Sequence, residues 1–167
     1  RVLRTLERWH TEQSTVAYAA ALPALAPLKG PQADSLLFAA AQANNVRVAA
    51  AAVDGLVARW ERIRPEKTDL YFQHLSAALR RGDPALLYHG ASALTDSLFV
   101  ARGAADTLAA TYRSLSVPAD LEGMTSVLDA LGTIGGPTAE TVLRDALNHP
   151  HHTVRQAAAR GLSSTLD

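Results

Sequence analysis

The chain of 167 residues contains no cysteine and few aromatic residues, namely two Trp, four Tyr and three Phe. Without cysteine it can form no disulfide, no thiolate metal site and no thiol nucleophile. Its 16 basic and 16 acidic side chains cancel, so there is no overall positive field to attract nucleic acid or an anionic membrane. The longest apolar run, residues 16–28, is short and broken by Pro23 and Pro27. We therefore expect neither a membrane span nor general nucleic-acid binding.

Strand-forming residues are also scarce, since the chain has only 11 Val and 2 Ile against 33 Ala and 24 Leu. Alanine and leucine are the strongest helix formers, which favours an all-α fold. Because alanine is too small to fill a wide core, the composition predicts helices that pack closely through small side chains.

Proline occurs at regular intervals along the chain. Pro31 and Pro65 are 34 residues apart, and Pro84, Pro118 and Pro150 follow one another at separations of 34 and 32. Proline is favoured in the first turn of a helix, so each of these positions predicts a helix start. Together with the spacing of the apolar residues, they predict helices at residues 2–9, 12–28, 32–43, 46–61, 66–81, 84–97, 103–115, 119–133, 138–148 and 151–165.

The connections between these predicted helices are very short. Short connections make consecutive helices antiparallel neighbours, so we expect a series of helical hairpins, each covering the apolar face of the next. Pro23 and Pro27 fall inside a predicted helix and indicate a kink or an early end there.

The clearest repeat unit runs from Thr133 to Leu162. Its second half, residues 154–162, reads Val-Arg-Gln-Ala-Ala-Ala-Arg-Gly-Leu and resembles the second helix of a HEAT repeat of the bacterial phycobilisome-lyase-like subtype. Similar segments, spaced by roughly 31 to 38 residues, occur at 83–94, at 46–52, at Asp120 with 130–135, and in weaker form at 16–25.

This resemblance implies a right-handed α-solenoid of about five HEAT-like helix-hairpin repeats in a single domain, residues 1–167. The approximate repeats are 1–30, 31–64, 65–101, 102–135 and 136–167. Because the chain begins with Arg1 and its terminal repeats lack a polar capping face, we expect it to be a piece of a longer protein.

In repeats of this kind an Asp of the turn often pairs with an Arg of a neighbouring repeat. Asp83 and Asp120 keep the acidic position, and Arg47 and Arg155 keep the basic one. The expected ladder is therefore incomplete. A ladder role for Arg47 and Arg155 is favoured over direct contact with a ligand.

The face formed by successive second helices usually binds a protein or a peptide in such solenoids. The candidate partner-binding residues are accordingly Arg47, Leu87, Tyr88 and Arg155. Leu87 and Tyr88 stand where the family has a charged pair. Contact with a partner and tighter packing between repeats are equal alternatives for these two residues.

Three further patterns have competing interpretations. The histidines of residues 149–152 favour a polar turn over a metal site, because no Cys or acidic ligand adjoins them, and His10, His74 and His89 are dispersed. Residues 132–136 lack the strand and lysine of a phosphate loop and are interpreted as a helix terminator. The basic stretch 59–67 could contact nucleic acid through Trp60, but acidic residues interrupt it and favour a solvated helix end.

The sequence therefore predicts a non-catalytic protein-interaction or scaffold module with no catalytic residue, cofactor or metal, and with a protein or peptide partner. It also resembles the helical-repeat region joined to some bacterial cyclophilin-type peptidylprolyl isomerases, which implies that any isomerase activity would lie in a separate domain. The alternative is an enzyme on the same scaffold, either DNA glycosylase-like or phycobilin lyase-like. The sequence does not identify a cellular compartment.

Overall fold

The described part of the chain is built from α-helices. The computed structural model describes residues 4–5, 15–64, 66–117 and 120–166, and within these it contains no β-strand, so the predicted all-α class is confirmed. No helix in these ranges has the length and apolar character needed to cross a membrane. The helices are α1 (Thr15–Ala21), α2 (Pro31–Ala41), α3 (Val46–Ile63), α4 (Thr68–Leu79), α5 (Pro84–Ala93), α6 (Ser97–Val100), α7 (Ala104–Ser114), α8 (Leu121–Ile134), α9 (Gly136–Ala146) and α10 (His152–Leu166).

Proline begins several of these helices, as the sequence predicts. Pro31 is the first residue of α2, Pro84 is the first residue of α5, and Pro137 lies in the first turn of α9. Pro65 and Pro118 lie outside the described residues, as does nearly all of the predicted helix 2–9. Pro150 lies two residues before His152, the first residue of α10. Pro31, Pro84 and Pro137 therefore lie in the first turn of a helix, and Pro150 lies just ahead of one.

The predicted helix 12–28 ends early, as its prolines indicate. The α-helix stops at Ala21 and a 3₁₀ helix, Leu22–Leu25, follows it directly with Pro23 in its first turn. Gly30 then adopts a φ of 108° immediately before α2. This short segment between α1 and α2 is therefore irregular backbone.

The predicted helix 84–97 is wrong at its end, because the helix stops at Ala93. The hydroxyl of Thr95 donates to the carbonyl of Ser92 at 2.8 Å, and the carboxylate of Asp96 accepts the N–H of Leu98 at 2.9 Å. These side chains bind the backbone where a continuous helix would need its own hydrogen bonds. The chain consequently ends α5 at Ala93 and begins the short helix α6 at Ser97.

The chain divides into two compact units, Arg1–His74 and Leu75–Asp167, with the division inside α4. In the first unit α3 is the central helix, and α1, the 3₁₀ helix and α2 all pack against it. Gly55 of α3 permits α2 and the 3₁₀ helix to pack closely against α3, because a Cβ at this position would lie 2.6 Å from Leu37 Cδ2 and 3.3 Å from the carbonyl oxygen of Leu22. The predicted division of the chain into five repeats remains a prediction.

In the second unit α8 is the central helix. It packs against α5 and α10 on its flanks and also contacts α7 and α9, which contact each other. The helices α5, α8 and α10 thus form one layer, while α7 and α9 belong to a second layer. We call the first of these the second-helix layer, because each hairpin, α7 with α8 and α9 with α10, contributes its second helix to it.

Two helix backbones meet directly within this layer. A Cβ added to Gly132 of α8 would overlap the Cα of Gly161 in α10, and a Cβ on Gly161 would lie 2.7 Å from Leu143 Cδ2. Gly132 therefore lies inside α8 at a packing contact. Of the predicted terminator, residues 132–136, the glycine that ends α8 is Gly135, which follows Ile134 with a φ of 68°.

We expect Gly132→Ala to destabilise the second unit. Alanine is better than glycine inside a helix by about 1 kcal/mol, but overpacking a close contact costs up to about 3 kcal/mol, and the Gly161 backbone cannot rotate away as a side chain could. The free energy of unfolding, measured by urea titration with circular dichroism, should fall by about 2 kcal/mol. Thr133→Ala, at the exposed neighbouring position, should change it by less than about 0.5 kcal/mol. A Gly132→Ala protein as stable as the wild type would contradict the close contact.

Candidate functional site

A buried ion pair is the most unusual polar feature of the first unit. Arg59 of α3 is 1% exposed and Asp34 of α2 is 5% exposed. The Nε of Arg59 donates to Asp34 Oδ1 at 2.5 Å, and the hydroxyl of Tyr71 in α4 donates to the same oxygen at 2.6 Å. We call these three residues the Arg59 cluster. It connects α2, α3 and α4 through buried polar groups.

The remaining guanidinium nitrogens of Arg59 bind main-chain carbonyls of the irregular segment before α2. Nη1 donates to the carbonyls of Leu25, Ala26 and Leu28, and Nη2 donates to the carbonyl of Gly30 at 3.0 Å. Arginine has five N–H donors and no acceptor, so it suits an irregular segment whose carbonyls are not all bound by main-chain N–H groups, although the Leu25 carbonyl also accepts the N–H of Leu28. The Arg59 cluster thus fastens this segment to α3.

The Arg59 cluster is enclosed by aromatic rings. The ring of Tyr71 lies 5.1 Å from that of Phe38 and 5.5 Å from that of Trp60. Burial, followed by the hydrogen bond and charge of Asp34, raises the pKa of Tyr71, so its hydroxyl keeps its proton near neutral pH. With its donors directed at protein oxygens and its surroundings filled, we interpret the cluster as a structural connection.

The prediction that residues 59–67 form a solvated helix end is wrong for Arg59 and Trp60. Both are buried, Trp60 at 3% exposure, and its ring packs inside the unit where it offers no face to a base. The signal that could have identified Arg59 is helical periodicity, because it follows the buried residues Ala52 and Leu56 on one stripe of α3. Arg64, at the end of α3, places its guanidinium carbon 5.6 Å from the centre of the Trp60 ring.

An open groove lies between α5 and α8 in the second unit. Its volume is about 630 Å³. We call it the Tyr88 groove, and its lining residues are Pro84, Ala85, Tyr88 and His89 from α5 with Glu122, Thr125, Ser126 and Asp129 from α8. Tyr88 is 65% exposed, and its ring meets the ring of His89 edge-on at 5.0 Å. The four α8 residues recur at helical spacing and therefore share one face of the helix.

Two carboxylates dominate the electrostatics of the Tyr88 groove. Arg160 of α10 donates from Nη2 to both carboxylate oxygens of Asp129, at 3.0 and 3.3 Å. Glu122 is exposed and forms no ion pair with any residue in the described ranges. Arg160 offsets the charge of Asp129, so Glu122 supplies the unbalanced negative charge of the lining, which disfavours phosphate and favours cations.

Of the four candidate partner-binding residues, only Tyr88 lines the groove. Tyr88 lines the groove, whereas its neighbour Leu87 is fully buried, and a Cβ on Gly123 of α8 would overlap Leu87 Cδ1. Leu87 therefore has no surface to offer a partner, and the alternative of tighter helix packing applies to it. The predicted contact role of Leu87 is wrong because its side chain fills the space above a glycine.

Neither arginine of the set is among the residues that line the groove. Arg47 of α3 is exposed in the first unit, and its side chain makes no hydrogen bond or ion pair with the residues described there. In the second unit, Arg155 donates from Nη1 to the carbonyls of His149 and Pro150, at 2.9 and 2.7 Å, within its own turn. Asp120 accepts the N–H of Ser116 at 2.9 Å. Both side chains therefore bind main-chain groups close to them in sequence. In the described part of the second unit, none of these contacts is an Asp–Arg pair of the predicted ladder.

Glu122, Ser126 and Asp129 were not predicted as site residues. The signal in the sequence is their spacing of four and seven residues, which gives α8 a polar stripe beside its apolar face. A solvated helix surface produces the same pattern, so only the position of Tyr88 on the adjacent helix distinguishes a groove from ordinary surface.

The histidines of residues 149–152 form a hydrogen-bonded turn. His149 Nδ1 accepts the N–H of His151 at 3.1 Å, and His151 Nδ1 accepts the N–H of Thr153 at 3.3 Å. These bonds support the interpretation as a polar turn before α10. In the described parts of the chain, no three or more His, Cys, Asp or Glu side chains are arranged to hold a metal ion. His10 lies outside those parts.

Comparison with known proteins assigns no family. No protein-family model matches the chain, and no curated protein matches it either. The similarity to HEAT repeats therefore remains a hypothesis, and function is inferred from helix packing and from the Tyr88 groove.

We expect Asp34→Ala to destabilise the first unit more than Tyr71→Phe. Removing the carboxylate leaves the Arg59 guanidinium buried without a counter-charge, which costs about 3–5 kcal/mol, whereas Tyr71→Phe removes one hydrogen bond to a charged group, worth about 1.5–3 kcal/mol. Urea unfolding of each variant measures these losses. Ser35→Ala, at the exposed neighbouring position in α2, should stay within about 0.5 kcal/mol of the wild type. Equal losses for Asp34→Ala and Ser35→Ala would refute a stabilising role for the cluster.

We also expect the first unit to lose stability as the pH falls below about 6.5. The ring of His74 stacks on that of Phe38 at 4.2 Å, and its Nδ1 lies 3.3 Å from Gln42 Nε2. Burial lowers the pKa of His74 from the ordinary 6.5, so the unfolded chain binds this proton at a higher pH than the folded protein does. The loss therefore begins near the unfolded pKa and continues down to the folded one.

Urea titrations from about pH 8 to about pH 5 should show that His74→Gln flattens this dependence, since glutamine does not titrate. Identical pH profiles for the variant and the wild type would exclude His74 as its source.

Proposed function

We propose that this chain is a protein-interaction module without catalytic activity of its own, built as a right-handed solenoid of about five HEAT-like hairpins. The observation that carries the proposal is the Tyr88 groove, an open surface between α5 and α8 with an aromatic side chain that is 65% exposed. Peptide recognition is the function that such a surface supports best.

The packing of the second unit supports the proposal. Its second-helix layer places α5, α8 and α10 side by side, so equivalent surface positions of successive helices form one continuous face. Solenoid proteins use extended faces of this kind to hold partners. The Tyr88 groove lies on that face, because its lining comes from two of the three helices.

The charge of the groove favours a protein over a nucleic acid. A DNA glycosylase-like enzyme would need a basic groove to hold the phosphate backbone. The Tyr88 groove instead carries Glu122 and Asp129, and the buried Trp60 offers no platform for a base. These features support a polypeptide partner.

A random peptide library displayed on phage and selected on the wild-type chain tests the proposal. The selected peptides should lose about tenfold or more in affinity on Tyr88→Ala, because an exposed aromatic at the centre of a binding surface contributes about 2 kcal/mol. Leu98→Ala removes a 42%-exposed apolar side chain from α6, outside the groove, and should bind like the wild type. A selection without binders, or binders indifferent to Tyr88→Ala, would overturn the proposal.

A further inference from the structure

The lining of the Tyr88 groove is rich in hydrogen-bond acceptors. The hydroxyls of Thr125 and Ser126 both donate to the carbonyl of Glu122, at 2.8 and 2.9 Å. Their protons are therefore in use, and toward a ligand they present oxygen lone pairs. Glu122 and Asp129 add carboxylate oxygens, which accept only. A ligand that suits α8 must consequently bring donors.

The exposed ring of Tyr88 adds a second requirement. Aromatic faces attract cations, and the planar guanidinium of arginine stacks on them while its N–H groups stay free to bind carboxylates. Tyr88 faces the groove from α5, opposite the acidic stripe of α8. A cation in the groove would thus lie between an aromatic ring and a carboxylate.

The protein already binds guanidinium groups through carboxylates of the same unit. Arg160 donates to both oxygens of Asp129, and Arg144 donates from Nε and Nη2 to one oxygen of Glu140, at 2.9 and 2.6 Å. Glu122 has no such partner among the residues described, although it lies on the same face of α8, two helical turns before Asp129. Of the two groove carboxylates, Glu122 is the one left for an incoming cation.

We propose that the Tyr88 groove binds an arginine side chain carried by a segment of a partner protein, with the guanidinium stacked on Tyr88 and paired with Glu122. This inference rests on the proposed function and specifies the chemistry of the partner. A volume of about 630 Å³ exceeds what one side chain fills and leaves room for the flanking residues of an extended segment. Arginine fits better than lysine because its planar guanidinium can stack on the ring of Tyr88 and donate hydrogen bonds to the carboxylate of Glu122 at the same time.

An NMR titration with two short peptides tests the inference. One peptide is acetyl-Gly-Ser-Arg-Ser-Gly-amide, and the other carries citrulline, the neutral isostere of arginine, in the same position. The arginine peptide should shift the amide signals of residues 85–89 and 122–129, and the citrulline peptide should bind about tenfold more weakly. Equal affinities for the two peptides, or shifts outside these residues, would overturn the proposal.

Variants of single side chains identify the carboxylate and the ring. Glu122→Gln and Tyr88→Leu should each weaken binding of the arginine peptide by about tenfold, with unchanged circular dichroism because both positions are exposed. Glu140→Gln removes an exposed carboxylate from α9, outside the Tyr88 groove, and should leave the affinity unchanged. If Glu122→Gln and Glu140→Gln weakened binding equally, the attraction would be a general electrostatic effect, and the proposed site would be refuted.

The phage selection separates this inference from the proposed function. Peptides that depend on Tyr88 but lack arginine would leave the interaction module standing and refute the arginine site. A selection without any peptide that depends on Tyr88 would refute the interaction module itself.

Discussion

Close approach between helix backbones is the constraint on which both units depend. A core made mainly of alanine and leucine has little bulk at helix crossings, and dispersion attraction falls steeply with distance, so the helices must come nearly into main-chain contact. Gly55 serves this purpose beside Leu22 and Leu37 in the first unit, and Gly132 meets Gly161 in the second. The high alanine content is thus a requirement of geometry as well as of helix propensity.

The Arg59 cluster solves a different problem, which arises from Pro23 and Pro27. These prolines prevent one continuous α-helix and leave an irregular segment in which the regular hydrogen bonds of an α-helix are interrupted. Placing a charge in the interior carries a desolvation cost, but here the guanidinium binds a carboxylate and several carbonyls at once, which offsets that cost. The long side chain of Arg59 therefore holds the irregular segment between α1 and α2 against α3.

The helices could be predicted well from the sequence because proline acts locally. Pro31 and Pro84 begin helices by fixing φ and lacking an N–H, and no tertiary contact is needed to produce that effect. The burial of Arg59 could not be predicted with equal ease, because it depends on Asp34, which lies 25 residues away in sequence. Basic composition alone indicates a solvated helix end.

The candidate site was predicted only in part for the same reason. Tyr88 was identified as an anomaly in the repeat pattern, and it does lie at an exposed position. Its partners in the Tyr88 groove, Glu122 and Asp129, belong to α8. The resemblance to HEAT repeats implies that α5 and α8 are neighbouring second helices, but it does not indicate which side chains of α8 face Tyr88. The repeat pattern groups Leu87 with Tyr88 because both stand where the family has a charged pair, although consecutive helix positions point in different directions.

Because the side chains of Leu87 and Tyr88 point in different directions, the width of the groove and the residues that line it could change separately in evolution. Leu87 packs over Gly123 between α5 and α8, while Tyr88, one position later, lines the groove. A paired change of volume at 87 and 123 would widen or narrow the groove without altering any residue that lines it. Under the proposed function, two buried positions outside the lining would thus adjust which peptides fit the groove.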